Sequence, residues 1–266
     1  MEYIAYLATV LMGIILGLVG GGGAILTVPI LVYLFHIDPV IASGYSLFIV
    51  GAASAVGSLR SLRHRMIDIP VSFNFAIPSF VGVFCARSLV LPALPQMLAI
   101  SPSLHISKGE LLMILFALIM LVASVSMIRG RREGQAPAPS QGLTPQTRFW
   151  IAAQGLAVGL LAGLVGAGGG FMIIPGLVML VGLPMKRAVA SSLFIIALQS
   201  SFGFLGEWAK GTTIDWSLLL SLASLAVVGM VVGSRFQQFI PEKKLRIGFG
   251  YFVLLMGLWI LVQQLR

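Results

Sequence analysis

Apolar segments of membrane-spanning length recur along the whole chain and are separated by short polar or glycine-rich stretches. In the first half they cover residues 3–19, 24–35, 40–59, 69–91 and 110–128, with a polar, proline-bearing loop predicted at 92–108. The same plan returns over residues 149–265. Since a helix needs about 20 apolar residues to cross the hydrocarbon core, the pattern predicts an all-α polytopic membrane protein.

A glycine-rich stretch interrupts the first apolar segment of each half. Residues 17–24 are GLVGGGGA and residues 163–170 are GLVGAGGG, and a proline follows each at the same distance, Pro29 and Pro175. A straight helix over residues 3–35 would be about 50 Å long, against a hydrocarbon core of roughly 30 Å. We therefore predict a glycine-broken helix or a hairpin in each half. Glycines that serve only close helix packing remain the alternative.

The two stretches belong to an internal repeat. A shift of 146 positions aligns residues 13–59 with 159–205, and 19 of these 47 positions are identical. One inserted residue later, Asp68 aligns with Asp215. The repeat predicts two homologous halves. The expected division is a first membrane repeat at 1–128, a charged, Pro- and Ser-rich linker at 129–148, and a second membrane repeat at 149–266.

The positive charges indicate how the halves are oriented. If each glycine break reverses the chain, a half has five segments and the two halves are inverted. One side of the membrane then receives 13 Lys and Arg residues and the other side four. If the broken segments cross only once, the distribution is nine against eight. Because basic residues accumulate on the cytoplasmic side, we expect inverted halves with a cytoplasmic linker.

The composition of the chain excludes several classes of protein and several kinds of site. The chain is 58% apolar and 9% charged, with a mean hydropathy of +1.03, which leaves almost no room for a soluble domain. The net charge of +9 is therefore no sign of nucleic-acid binding. A single cysteine, Cys85, excludes an internal disulfide and a cysteine-built metal site. All eight acidic residues fall at segment ends or in loops, so no carboxylate is placed for a proton relay.

Inverted repeats with paired helix breaks are typical of secondary transporters, which bind their substrate where the broken elements meet. Helices that restart at Ala24 and Gly170 would direct amide groups towards an anion, and nearby hydroxyls could complete its hydrogen bonds. The hydroxyls in question belong to serines that follow each break, and an ordinary hydrogen bond from such a serine to its own helix would explain them equally well. Asn74 and Gln199 are weaker candidates. The candidate substrate-binding residues are Gly20, Gly21, Gly22, Gly23, Ala24, Ser43, Tyr45, Ser46, Gly166, Gly168, Gly169, Gly170, Ser191 and Ser192.

These motifs carry a family resemblance. Two apolar halves, each with Gly-Leu-Val-Gly-x-Gly-Gly, a proline and then Ser-Leu-Phe, resemble the TauE/SafE sulfite-exporter family over essentially the whole chain. The resemblance implies a multi-pass carrier of the bacterial inner membrane that exports sulfite, organosulfonates or related sulfur oxyanions. The chain departs from exact symmetry at one point, because Ala24 stands opposite Gly170.

The sequence is also compatible with other cargoes and with transport in the other direction. The cargo could instead be a carboxylate or thiosulfate, and the direction could be uptake. An intramembrane enzyme is disfavoured because no histidine lies within an apolar segment to activate a serine. We expect no catalytic residues, no cofactor and no metal. The expected partners are a small anionic substrate and the lipid bilayer, without nucleic acid, and a homodimer stays open beside a monomer.

Overall fold

A computed structural model describes residues 2–90, 93, 97–101, 104–129, 145–165, 170–208 and 214–264. These residues form ten α-helices together with short 3₁₀ and π segments. The helices are α1 (Glu2–Val19), α2 (Ala24–Pro29), α3 (Pro39–Arg63), α4 (Ile69–Cys85), α5 (Lys108–Arg129), α6 (Pro145–Val165), α7 (Gly170–Pro175), α8 (Met185–Trp208), α9 (Trp216–Phe236) and α10 (Glu242–Gln264). The 3₁₀ segments are Gly21–Gly23 and Gln237–Phe239, and the π segments are Ile30–Leu34, Ala86–Val90 and Gly176–Leu180.

A short β-hairpin corrects the prediction of a loop over residues 92–108. Strands β1 (Met97–Ser101) and β2 (Leu104–Ser107) pair antiparallel, with Leu98 opposite Ile106. Residues 104–107 alternate apolar and polar side chains, which is the period of a strand rather than of a loop. An alternation of only four residues is too short to distinguish a strand from a proline-bearing loop.

The helices confirm the expected all-α polytopic membrane protein. In the described residues, four helices are long and apolar enough to cross a membrane, and several shorter apolar helices accompany them. Large apolar side chains are exposed on the outside of the bundle, for example Phe149 at 68% and Leu255 at 67%. An apolar surface of this kind is stable in contact with lipid.

Helices α3 and α8 form the centre of the bundle. In their apolar parts 61% and 67% of the residues are buried, against 39% in α9 and 35% in α10. The two central helices run antiparallel, because Leu47 packs against Gly203 whereas Gly57 packs against Leu193. Since the repeat aligns α3 with α8, the middle of the molecule is a contact between equivalent helices.

Glycines allow two further pairs of helices to pack backbone to backbone. Helix α1 runs parallel to α9, with Gly13 against the backbone of Ala226. Helix α4 runs parallel to α6, with Gly159 against the backbone of Ser79. In both pairs one helix comes from each half, and Gly13 and Gly159 are equivalent in the repeat. The two halves are therefore interleaved in one bundle.

The helix directions favour inverted halves. The fifth helices of the two halves, α5 and α10, also run antiparallel, with Ile128 against Gly250 and Met120 against Gly257. Parallel halves would instead give equivalent helices the same direction. Most of the expected linker, residues 130–144, lies outside the described residues. The division of the chain at 128 and 149 therefore stays a prediction.

Candidate functional site

The first glycine stretch reverses the chain. The amide of Gly20 donates to the carbonyl oxygen of Leu16 and closes the last turn of α1. Beyond it the chain returns along α1, because Gly23 lies against Leu16 and the ring of Phe35 packs 5.5 Å from that of Tyr6. The sequence predicted a glycine-broken helix or a hairpin, and in the first half the chain forms the hairpin.

Glycine is required at the turn itself. Gly20 has φ 73° and ψ −120°, a conformation that residues with a side chain rarely adopt. A Cβ at this position would also lie 2.6 Å from Oγ of Ser192 and 3.2 Å from Cγ1 of Val189, both on α8. The turn of the first half is therefore in close contact with the central helix of the second half.

The second hairpin mirrors the first where the structure describes it. Its turn residues Gly166, Gly168 and Gly169 lie outside the described residues, and Gly170 begins α7. The ring of Phe75 is 3.6 Å from a Cβ placed on Gly176, while the backbone of Phe75 lies beside Gly155 of α6. Because Gly155 and Gly176 contact the same residue, α7 folds back along α6.

Both hairpins end with the same hydrogen bonds. The amides of Phe35 and Ile37 donate to the carbonyl oxygens of Ile30 and Leu31. At the equivalent positions, the amides of Val181 and Leu183 donate to those of Gly176 and Leu177. Helix α7 packs against the Gly21–Gly23 turn and against α2. The two broken elements therefore meet inside the bundle.

The restart of the helix lies slightly earlier than expected. The sequence predicted that a helix restarts at Ala24 with free amide groups, and α2 does begin there. However, the amide of Ala24 donates to the carbonyl oxygen of Gly21, because the glycines already form a 3₁₀ turn. Amide groups of a first helical turn lack intrahelical acceptors. Any amide that meets a ligand here therefore belongs to Gly21, Gly22 or Gly23.

Two of the predicted serines, Ser46 and Ser192, form hydrogen bonds within their own helices. Oγ of Ser46 donates to the carbonyl oxygen of Ser43, and Oγ of Ser192 donates to that of Val189, each at 2.8 Å. This is the ordinary role of serine in a helix. Ser192 nevertheless lies next to Gly20, so the geometry brings one predicted hydroxyl to one predicted glycine.

Tyr45 and Ser191 connect the two halves. The hydroxyl oxygen of Tyr45 accepts a hydrogen bond from the amide of Asp215 at 2.7 Å, and Oγ of Ser191 accepts one from the amide of Asp68 at 3.1 Å. Both aspartates cap helices, α9 and α4, by accepting from the amides of Leu218 and Val71. Sequence reasoning missed these connections, although Tyr45 aligns with Ser191 and Asp68 with Asp215 in the repeat.

The two weaker candidates have structural partners. The side-chain nitrogen Nδ2 of Asn74 donates to the carbonyl oxygen of Pro70 in its own helix. The amide nitrogen of Gln199 donates to Oγ of Ser79, which joins α8 to α4. Each therefore has a packing role in the described structure.

The chain is similar to one known protein family and to several named proteins. A family model described as "Sulfite exporter TauE/SafE" matches residues 5–260. A "Probable membrane transporter protein" of Xylella fastidiosa is 28% identical over 228 residues, which cover 84% of this chain and 78% of that protein. The Bacillus subtilis protein named "Probable membrane transporter protein YunE" is 27% identical over 269 residues, covering 95% and 96%. No solved structure matches the chain.

Proposed function

The chain belongs to the sulfite exporter TauE/SafE family and is a multi-pass membrane transporter, and we propose that it exports small sulfur-containing anions such as sulfite or organosulfonates. The substrate class and the direction are the proposal. The family description and the chemistry of the paired hairpins support it.

The observation that carries the proposal is the meeting of the two hairpins. The glycine turn of the first half lies against Ser192 of α8 and packs against α7 of the second half. Backbone amides and hydroxyls are the polar groups offered there. Such neutral donors suit an oxyanion because they bind it without a permanent counter-ion.

The membrane potential is a sufficient driving force for export. A cell interior that is negative by 100 mV favours the exit of one negative charge by about 2.3 kcal/mol. An exporter of anions therefore needs no coupled ion. This agrees with the placement of Asp68 and Asp215 as helix caps rather than as a relay within the bundle.

We expect purified protein in liposomes to transport sulfite or an organosulfonate. The measurement is efflux of sulfite, sulfoacetate, taurine and thiosulfate, each tested separately, with and without a potassium diffusion potential that is negative inside. Efflux of an anionic substrate should accelerate when the potential is imposed, and protein-free liposomes provide the background. Absence of flux for all four compounds would overturn the proposed substrate class, and flux of thiosulfate alone would exclude sulfite and the sulfonates.

We further propose that the protein lies in the bacterial inner membrane with inverted halves and a cytoplasmic linker. The antiparallel packing of α3 on α8 and the unequal distribution of basic residues support this orientation. Inversion would place the two hairpins on opposite sides of the membrane, an arrangement found in many transporters that work by alternating access.

Cysteine labelling tests the orientation. In a Cys85→Ser background, Gly134→Cys, Gly182→Cys and Gly211→Cys each introduce a single thiol. An impermeant maleimide applied to intact spheroplasts should label Gly211→Cys and spare the other two until the membrane is permeabilised. Labelling of Gly182→Cys from outside, with Gly211→Cys protected, would instead support parallel halves.

A further inference from the structure

The central helices α3 and α8 carry two equivalent serine hydroxyls that are buried. Ser54 and Ser200 align in the repeat, and they are 0% and 1% exposed. Within the described residues, neither Oγ has a hydrogen-bond partner. On the same helices, the hydroxyls of Ser58 and Ser201 donate to carbonyl oxygens of their own helices. Ser54 and Ser200 are therefore turned away from the acceptors that helical serines ordinarily use.

Ser200 lies against the facing central helix, and the register of the two helices places Ser54 at nearly the same level of the bundle. A Cβ placed on Gly51 would lie 3.0 Å from Cβ of Ser200, so Ser200 faces α3. The antiparallel register continues with Gly57 against Leu193. It places Ser54 opposite the turn of α8 that precedes Ser200. The pair thus lies close to the point about which the repeat is symmetric.

This packed arrangement is unfavourable for the hydroxyls. A buried polar group without a partner costs about 1–3 kcal/mol, because it has lost its hydrogen bonds to water. The same cost occurs at two positions that the repeat makes equivalent. A ligand that brings acceptor oxygens between α3 and α8 would restore both hydrogen bonds and so favour separation of the helices.

We propose that Ser54 and Ser200 form a second substrate site, which opens when α3 and α8 separate during transport. Each hydroxyl donates one hydrogen bond to a different oxygen of the anion, so the site takes a small oxyanion with at least two acceptor oxygens. Sulfite and sulfonate groups have this chemistry. The inference rests on the proposed function. It adds a site between α3 and α8 to the site at the glycine hairpins.

Four alanine variants test the site: Ser54→Ala and Ser200→Ala, with Ser58→Ala and Ser201→Ala as controls on the same helices. Sulfite efflux from liposomes is measured below saturation, and unfolding is measured in detergent. We expect each site variant to reduce efflux about fivefold, the equivalent of one ordinary hydrogen bond, and the double variant to reduce it more than tenfold. The controls should keep wild-type efflux.

Unfolding separates a binding role from a structural one. Removal of a hydroxyl that has no partner should leave the unfolding temperature unchanged or raise it. Site variants that unfold at a lower temperature, and whose efflux falls only in proportion to the loss of folded protein, would show a structural role and overturn the inference. Site variants with wild-type efflux would overturn it as well, while leaving the exporter function intact. A wild-type protein without sulfite or sulfonate flux would overturn the proposed function itself.

Discussion

Gly20→Ala should reduce efflux at least tenfold in a protein that still inserts into the membrane. The backbone of Gly20 has φ 73° and ψ −120°, and a side chain in such a conformation costs about 1–3 kcal/mol. The new Cβ would also lie 2.6 Å from Oγ of Ser192. Rotation of that hydroxyl can relieve the contact, but the backbone must still change its path. The glycine turn would then leave its position against α8. Efflux from liposomes, normalised to reconstituted protein, measures the effect.

Gly182→Ala is the matched control. Gly182 also has a positive φ, 80°, at the end of the second hairpin. Its equivalent in the first half is His36, which has φ 54° and shows that this position accepts a side chain. We expect Gly182→Ala to keep most of the efflux. Equal losses in the two variants would indicate general backbone strain, and wild-type efflux of Gly20→Ala would remove the turn from the mechanism.

A break at each glycine stretch could be predicted from the sequence, because length and glycine content constrain a membrane segment strongly, whereas the choice between a broken helix and a hairpin could not. No straight helix over residues 3–35 fits the bilayer, and Gly20 stands where the chain must turn. The contact between Tyr6 and Phe35 confirms that reasoning. The strands of residues 97–107 could not be predicted, because four or five residues among prolines, as in Leu104–Ser107, give only a weak strand pattern.

The site could be predicted only in part, because its hydrogen bonds join residues far apart in the chain. The hydroxyl of Tyr45 accepts from the amide of Asp215, 170 residues away. Residue type and repeat position could mark Tyr45 as notable, but they could not distinguish a ligand contact from a helix cap. Likewise, the repeat aligned Ser54 with Ser200 without indicating that both hydroxyls are buried without a described partner. Those facts depend on helix rotation, which tertiary packing sets.

Glycines outside the hairpins join the two halves through a close contact between α4 and α6. Gly82, Gly155 and Gly159 bring α4 and α6 together, and each lies against the backbone of the facing helix. In a membrane, helix association depends on such close packing, since lipid chains are as apolar as the side chains they replace. The α4–α6 contact joins the halves, so damage here affects the whole bundle.

Gly159→Leu should therefore prevent normal folding. A side chain at this position would overlap with the carbonyl group of Ser79, so α4 and α6 would have to move apart. Overpacking of this kind typically costs 1–3 kcal/mol and more where backbone must shift. We expect a large loss of folded protein after detergent extraction, and a fall in unfolding temperature of about 5 °C or more in what remains.

Gly248→Leu is the control for Gly159→Leu, and Gly13→Leu is the equivalent variant in the first half. Gly248 on α10 has no described atom within 4 Å of a Cβ, so leucine there should be tolerated, and its higher helix propensity is favourable by roughly 1 kcal/mol. Gly13 is the repeat equivalent of Gly159 and lies against the backbone of Ala226, so Gly13→Leu should behave like Gly159→Leu. If Gly159→Leu and Gly248→Leu unfold at the same temperature, the close contact between α4 and α6 does not hold the halves together.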